Sequence, residues 1–357
     1  MRLVIYLLIT LVATRQAPIR LANHDTNLTV SAPLFSELEE LARIVDITYC
    51  VGVPGAGIQQ PFECLSRCKD FEHFELISSW NTGPLLSDSC GYIALSHAPA
   101  QKRIIVAFRG TYSITNTIAD LSTWPQEYVP YPADPGTGHA SRCDNCSVHM
   151  GFYQSWENTR NVIGLDIKML VQDHPEYQLV LVGHSLGGAV AAFCGLEFHA
   201  LGYKPTITTF GEPRLGNQAF ADYFDRIFKI PLSGSDILDF EPSVVRRLTH
   251  MNDPVPLLPL EEWGYRPHAG EIFISKSDLT PEQVDVRHCV GDQDGACSIG
   301  SASPAPSARL AFPTRLKMWQ LLFAHRDYFW RLGLCVPELR IPDFRLPDWW
   351  WHSGKHG

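Results

Sequence analysis

Apolar residues are distributed along this chain in two rhythms. Short segments at Phe71–Ser78, Tyr92–Ser96, Arg103–Phe108, Leu179–Val182, Thr206–Phe210, Val244–Leu248 and Glu271–Ser275 read as strands, and Ile104–Phe108 and Leu179–Val182 are apolar throughout. Between them the apolar positions recur at helical spacing. Leu34, Leu38, Leu41, Ala42 and Val45 predict a helix opening at Pro33 and ending near Tyr49-Cys50. Further helices are predicted over Phe152–Val171, Leu186–Leu201, Ala219–Phe228 and Leu316–Leu332. A shorter amphipathic helix is predicted over Ser113–Trp124, with Ile114, Ile118 and Leu121 on one face. Strands alternating with helices predict the α/β class, with a mostly parallel central sheet and flanking helices. Val51–Lys69 and Pro125–Arg142 read as Pro- and Gly-rich loops, and Ile230–Ser243 as an inserted loop.

The two ends have a different texture. Met1-Arg2 and the apolar run Leu3–Ala13, closed by Arg15-Gln16, have the order of a secretory signal and are too short for a membrane span. The domain organisation expected is a signal over 1–17, a flexible or pro-segment over 18–32, one globular domain over 33–337, and a Pro- and Trp-rich tail over 338–357 with Trp349-Trp350-Trp351 near its end. Export places the chain in an oxidising compartment. The ten cysteines, including the close pairs Cys64/Cys68 and Cys143/Cys146, therefore read as disulfide partners rather than zinc ligands. Proximity also suggests Cys289–Cys297. Sequons stand at Asn27 and at Asn145, the latter inside the short Cys143–Cys146 loop. The formal net charge of -9 argues against a nucleic-acid surface.

Candidate chemistry enters at Leu179–Gly188. Four apolar residues run into Gly183-His184-Ser185-Leu186-Gly187, and a small-residue helix follows. Strand, tight turn and helix around Gly-x-Ser-x-Gly make a nucleophile elbow, in which bulk beside the serine is not tolerated. A serine hydroxyl needs a base, usually His, oriented by a carboxylate, and on this fold the acid and then the His come after the serine. Asp253 suits the acid: it follows a strand and is bracketed by Pro254 and Pro256. Asp236 and Asp239, within the insertion, are weaker candidates. Position leaves His268, His288 and His325 as candidate bases, and His325 has the most apolar setting. An oxyanion needs two donors, for which the Leu186 N–H and Thr111, after Arg109-Gly110, are the candidates. Such chemistry needs no metal or organic cofactor.

Taken in order, these motifs resemble those of the secreted fungal class 3 triacylglycerol lipases, which include feruloyl esterases of the same fold. The resemblance spans about Leu34 to Pro337. It rests on Tyr49-Cys50, Phe108-Arg109-Gly110-Thr111, Ser113-Ile114 to Asp120-Leu121, Cys143 to Cys146 with His149-x-Gly151-Phe152, and Gly183 to Gly188. It continues through Gly211-x-Pro213-Arg214-x-Gly216-Asn217, Asn252-Asp253-x-Val255-Pro256 and His325-x-x-Tyr328-Phe329. The resemblance implies an α/β-hydrolase fold, a Ser185–Asp253–His325 triad and a Thr111/Leu186 oxyanion pair. It further implies Cys50–Cys335, Cys64–Cys68 and Cys143–Cys146 disulfides, leaving Cys90 and Cys194, and a lid over the site carrying Ile114, Ile118 and Leu121. Familiar members have a bulky aromatic in the lid where this chain has Thr117.

The expected function is that of a secreted serine carboxylester hydrolase, a lipase acting on acylglycerols at a lipid–water interface. Its rivals are an esterase for short or phenolic esters and a non-catalytic binding protein on the same fold. Nothing in the chain marks a peptide-binding subsite, which disfavours a peptidase.

Overall fold

The computed structural model describes residues 28–52, 57–83, 88–111, 125–128, 143–233, 240–301 and 323–335. Its frame is an eight-stranded sheet. The strands are β1 (Phe74–Asn81), β2 (Cys90–Ser96), β3 (Arg103–Phe108), β6 (Gln178–His184), β7 (Thr206–Phe210), β9 (Val245–His250), β11 (Glu271–Ile274) and β12 (Val286–His288), in that spatial order. The five from β3 to β11 run parallel; β1 and β2 at one edge and β12 at the other are antiparallel. This is the expected α/β sheet.

The central strands are apolar on both faces because helices cover both. In β3, Ile104 and Val106 face one core while Ile105 and Ala107 face the other; in β6, Leu179 and Leu181 alternate with Val180 and Val182 in the same way. Helix α1 (Ala32–Ile47) covers the second face with Leu34, Leu38, Leu41 and Val45. Helices α2 (Met150–Asp173) and α3 (Leu186–Ala200) cover the first. Every residue from Leu186 to Phe198 is buried, so α3 has no polar face. Helix α4 (Gln218–Phe228) joins the same layer through Phe220 and Phe224, capped by the Asn217 side chain.

Three expectations change. The segment expected to be flexible before α1 is ordered at its end: Val30 is buried, its N–H donates to Val286 O, and Ser31 caps α1. Burial of Val30 and pairing with β12, an edge strand not anticipated, supply the reason. A second small sheet joins β4 (Pro125–Glu127), β5 (Ser147–His149), β8 (Gly216–Asn217) and β10 (Tyr265–Arg266). Strands of two or three residues leave no rhythm in the sequence. Finally, helix does not continue to Leu332. Phe323 and Ala324 are helical, and from His325 the chain turns, because the adjacent residues Tyr328 and Phe329 both enter the core and a helix would point them apart.

Disulfides join Cys50–Cys335, Cys64–Cys68, Cys143–Cys146 and Cys289–Cys297, while Cys90 and Cys194 are buried free thiols. The first closes a separation of 285 residues and ties the segment after His325 to the end of α1. Asp46 of α1, itself buried, reinforces the tie by accepting the backbone N–H groups of Gly333 and Leu334. Replacing both Cys50 and Cys335 by Ser is expected to cost about 2–5 kcal/mol of stability. Urea unfolding of the double variant checks this, and an unchanged midpoint would contradict it.

Candidate active site

Strand β6 delivers the chain to a sharp turn. Ser185 has φ 58° and ψ -129°, a left-handed conformation that costs a non-glycine residue about 1–3 kcal/mol. Hydrogen bonds repay this: Ser185 N–H donates to Phe210 O at 2.9 Å, and Ser185 O accepts from Gly188 N–H at 2.9 Å. The flanking glycines are there for close approach. A Cβ on Gly183 would lie 2.1 Å from Gly187 O, and one on Gly187 would lie 2.4 Å from Phe108 O. The Leu186 N–H opens α3, where no intrahelical acceptor exists for it.

Asp253 lies after β9, following Asn252 at φ 69°. Its buried carboxylate accepts from Val255 N–H at 2.9 Å, from Tyr328 O–H at 2.7 Å, and from His325 Nδ1 at 3.0 and 2.9 Å. Burial pushes this carboxyl upward, but the charge and hydrogen bond of His325, together with the other donors, outweigh it and hold the group below its ordinary range. Asp253 is therefore ionised and has no proton to give. His325 Nδ1 is the donor.

Ser185 Oγ and His325 Nε2 are among the buried side-chain atoms with no hydrogen-bond partner among the described residues. They are the hydroxyl of the elbow and the ring nitrogen of His325 that Asp253 does not hold. The loop after β3 adjoins the elbow as well: a Cβ on Gly110 would lie 2.8 Å from Ser185 Cβ, and Thr111 is the next residue.

The competing histidines are committed elsewhere. His268 contacts Glu212 at 2.8 Å, and His288 contacts Glu241 at 3.2 Å. Asp236 and Asp239, Ile114, Ile118 and Leu121 of the expected lid, and Asn27 lie outside the described residues. Asn145 is exposed, at φ 61°. The cysteine pairs weighed as zinc ligands are disulfides. Cys289, Asp294 and Cys297 also cluster, but the two sulfurs are bonded to each other, and Asp294 accepts the Val290 and Ala296 N–H groups.

Sequence reasoning gave no role to Tyr328 or His184, although both stand inside quoted motifs. Tyr328 supplies a hydrogen bond to Asp253. His184 Nε2 donates to the backbone oxygen of His325 at 2.8 Å. What the sequence lacked was any sign of their partners, 75 and 141 positions away.

The profile of Lipase (class 3) matches residues 105–263. A protein of Gibberella zeae named secreted mono- and diacylglycerol lipase 2 is 49% identical, over 86% of this chain and 83% of the relative. The chain belongs to the class 3 lipase family. Lipase A of Sodiomyces alcalophilus is also 49% identical to this lipase, over 91% of this chain and 87% of its own. The crystal structure of Lip2 lipase from Yarrowia lipolytica superposes with a TM-score of 0.72 at 32% identity, covering 86% of this chain and 96% of that one. The fold is that of the α/β-hydrolases, and membership makes the chain a carboxylic ester hydrolase with a lipid ester substrate. Among the described residues, no helix is long and apolar enough to cross a membrane.

The depressed Asp253 carboxyl has a measurable consequence. A carboxyl with a lowered folded-state pKa stabilises the lipase above the unfolded value, near 4, and loses that contribution as pH falls through the folded value. Tyr328→Phe removes one donor, so it is expected to cost about 1–3 kcal/mol at neutral pH and less once the pH has fallen through the folded value. Unfolding free energies measured across pH check this; a cost that stays constant with pH would contradict it.

Proposed function

We propose that Ser185 is the nucleophile, His325 the general base and Asp253 the residue that orients and charges it, in a secreted lipase acting on acylglycerols. The observation that carries this reading is the pair of unpartnered atoms, Ser185 Oγ and His325 Nε2, with Asp253 already holding His325 Nδ1. As Ser185 Oγ attacks the ester carbonyl carbon, His325 Nε2 takes its proton. The imidazolium is met by the ionised Asp253, and the oxyanion by the Leu186 N–H and by Thr111. Collapse expels the alcohol with the proton from His325 and leaves an acyl group on Ser185. Water, deprotonated by His325, then releases the acid.

Mono- and diacylglycerols are the favoured substrates, on the name of the Gibberella zeae relative. Export fits the same name and the apolar N-terminal run, with 1–17 as signal, 33–337 as catalytic domain and 338–357 as tail. The lid at Ile114, Ile118 and Leu121 would decide which esters enter, and exposed Asn145 is the glycan acceptor in the second sequon.

Two experiments test this. Ser185→Ala is expected to lower hydrolysis of a short p-nitrophenyl ester by at least about 10⁴-fold while the protein stays folded; retained hydrolysis would refute the nucleophile. A series of mono-, di- and triacylglycerols, assayed below and above their solubility limits, is expected to show hydrolysis of the partial glycerides. Turnover confined to feruloyl esters would overturn the substrate reading.

A further inference from the structure

We propose that His184 is a positioning residue for this reaction: through its Nε2–H it holds the backbone of His325 and so fixes the base relative to the nucleophile beside it in sequence. The inference rests on the triad reading above and deepens it.

His325 needs such a hold. It sits in a turn outside the sheet, on a segment fixed further along by Cys335 and Asp46 rather than by strand pairing. Ser185, by contrast, is set by the end of β6. His184 is the last residue of that strand. Its Nε2 lies 2.8 Å from the carbonyl oxygen of His325, and the two rings lie tilted against each other, with centroids 4.6 Å apart and planes at 31°. One residue therefore touches both halves of the site: it is bonded covalently to the nucleophile and by hydrogen bond and ring contact to the base.

The protonation state follows from the partners. A carbonyl oxygen only accepts, so Nε2 carries the hydrogen. Nδ1 then accepts from Tyr49 O–H, with which it is hydrogen-bonded. Burial raises the Tyr49 hydroxyl, which keeps its proton. Burial first, and then the nearby charge of His325, lowers His184 to about 3. His184 is therefore neutral with one N–H, and Tyr49 selects which nitrogen bears it. Neutrality matters, because a second imidazolium beside His325 would oppose the charge that His325 acquires when it takes the Ser185 proton. Tyr49 also borders the elbow loop: a Cβ on Gly110 would lie 2.8 Å from its hydroxyl.

The test compares the full chain with His184→Leu, His184→Gln and Tyr49→Phe, each checked for folding by circular dichroism and urea unfolding. Hydrolysis of p-nitrophenyl butyrate is resolved into kcat and KM. His184→Leu removes the donor and is expected to lower kcat about 30- to 100-fold with KM within about two-fold, since a misplaced base slows chemistry rather than binding. Gln offers an amide N–H at a reach similar to that of Nε2, and is expected to recover kcat to within about five-fold of the parent. Tyr49→Phe releases the tautomer and is expected to lower kcat about 3- to 10-fold. A folded His184→Leu with parental kcat, a loss confined to KM, or a folded Gln variant no better than Leu overturns the proposal. If His184→Leu does not fold, Tyr49→Phe decides, and an unchanged kcat in that variant overturns it. Retained activity in Ser185→Ala would instead remove the triad reading itself, a result separable from all of these.

Discussion

A carboxylate buried at the end of a sheet is tolerated only when donors meet its charge, and Asp253 is met by three: the Val255 N–H, the Tyr328 hydroxyl and His325 Nδ1. Two of the three come from the segment that follows the undescribed stretch 302–322, far along the chain from β9. The contact between Asp253 and His325 is thus also a long-range tertiary contact. Removing His325 would leave the buried carboxylate with only the Val255 and Tyr328 donors. This links the stability of the last segment to the state of the site.

The surroundings make that contact reliable. Asp46 and Cys50, at the end of α1, hold Gly333, Leu334 and Cys335. Gly211, at φ 61°, leaves space that a Cβ would take from the Tyr328 hydroxyl and the His325 ring, at 2.6 and 2.7 Å. Tyr328 and Phe329 fill the core beneath α1. His325 is therefore carried on a segment clamped at several points, while Ser185 is carried on a strand end whose geometry the sheet dictates. His184 lies where the two systems meet.

The legibility of these parts in the sequence follows their locality. The elbow is spelled out within ten residues, because the apolar run, the glycines and the small-residue helix each have a local physical cause. The long strands and helices show in their rhythm for the same reason. Only its apolar setting set His325 apart by pattern, and His268 and His288 stayed open until the structure showed each committed to a glutamate. The helix expected around His325 stops at Ala324, because the pull on the following residues comes from Asp253 and the α1 core, not from their neighbours in sequence. The small second sheet, with single pairings such as Val148 with Gly216, is held by tertiary context and leaves no periodic trace. Family membership rests on the ordered set of motifs and on the close relatives, and no single residue carries it.

The central claim is that Ser185 is made reactive by the Asp253–His325 pair. The most direct measurement is covalent labelling with diethyl p-nitrophenyl phosphate, followed by peptide mass spectrometry of the intact chain and of His325→Ala. The account predicts one phosphoryl adduct per chain, located on Ser185, and its loss in His325→Ala although the protein stays folded. An adduct on another residue, or equal labelling of Ser185 without His325, would contradict it.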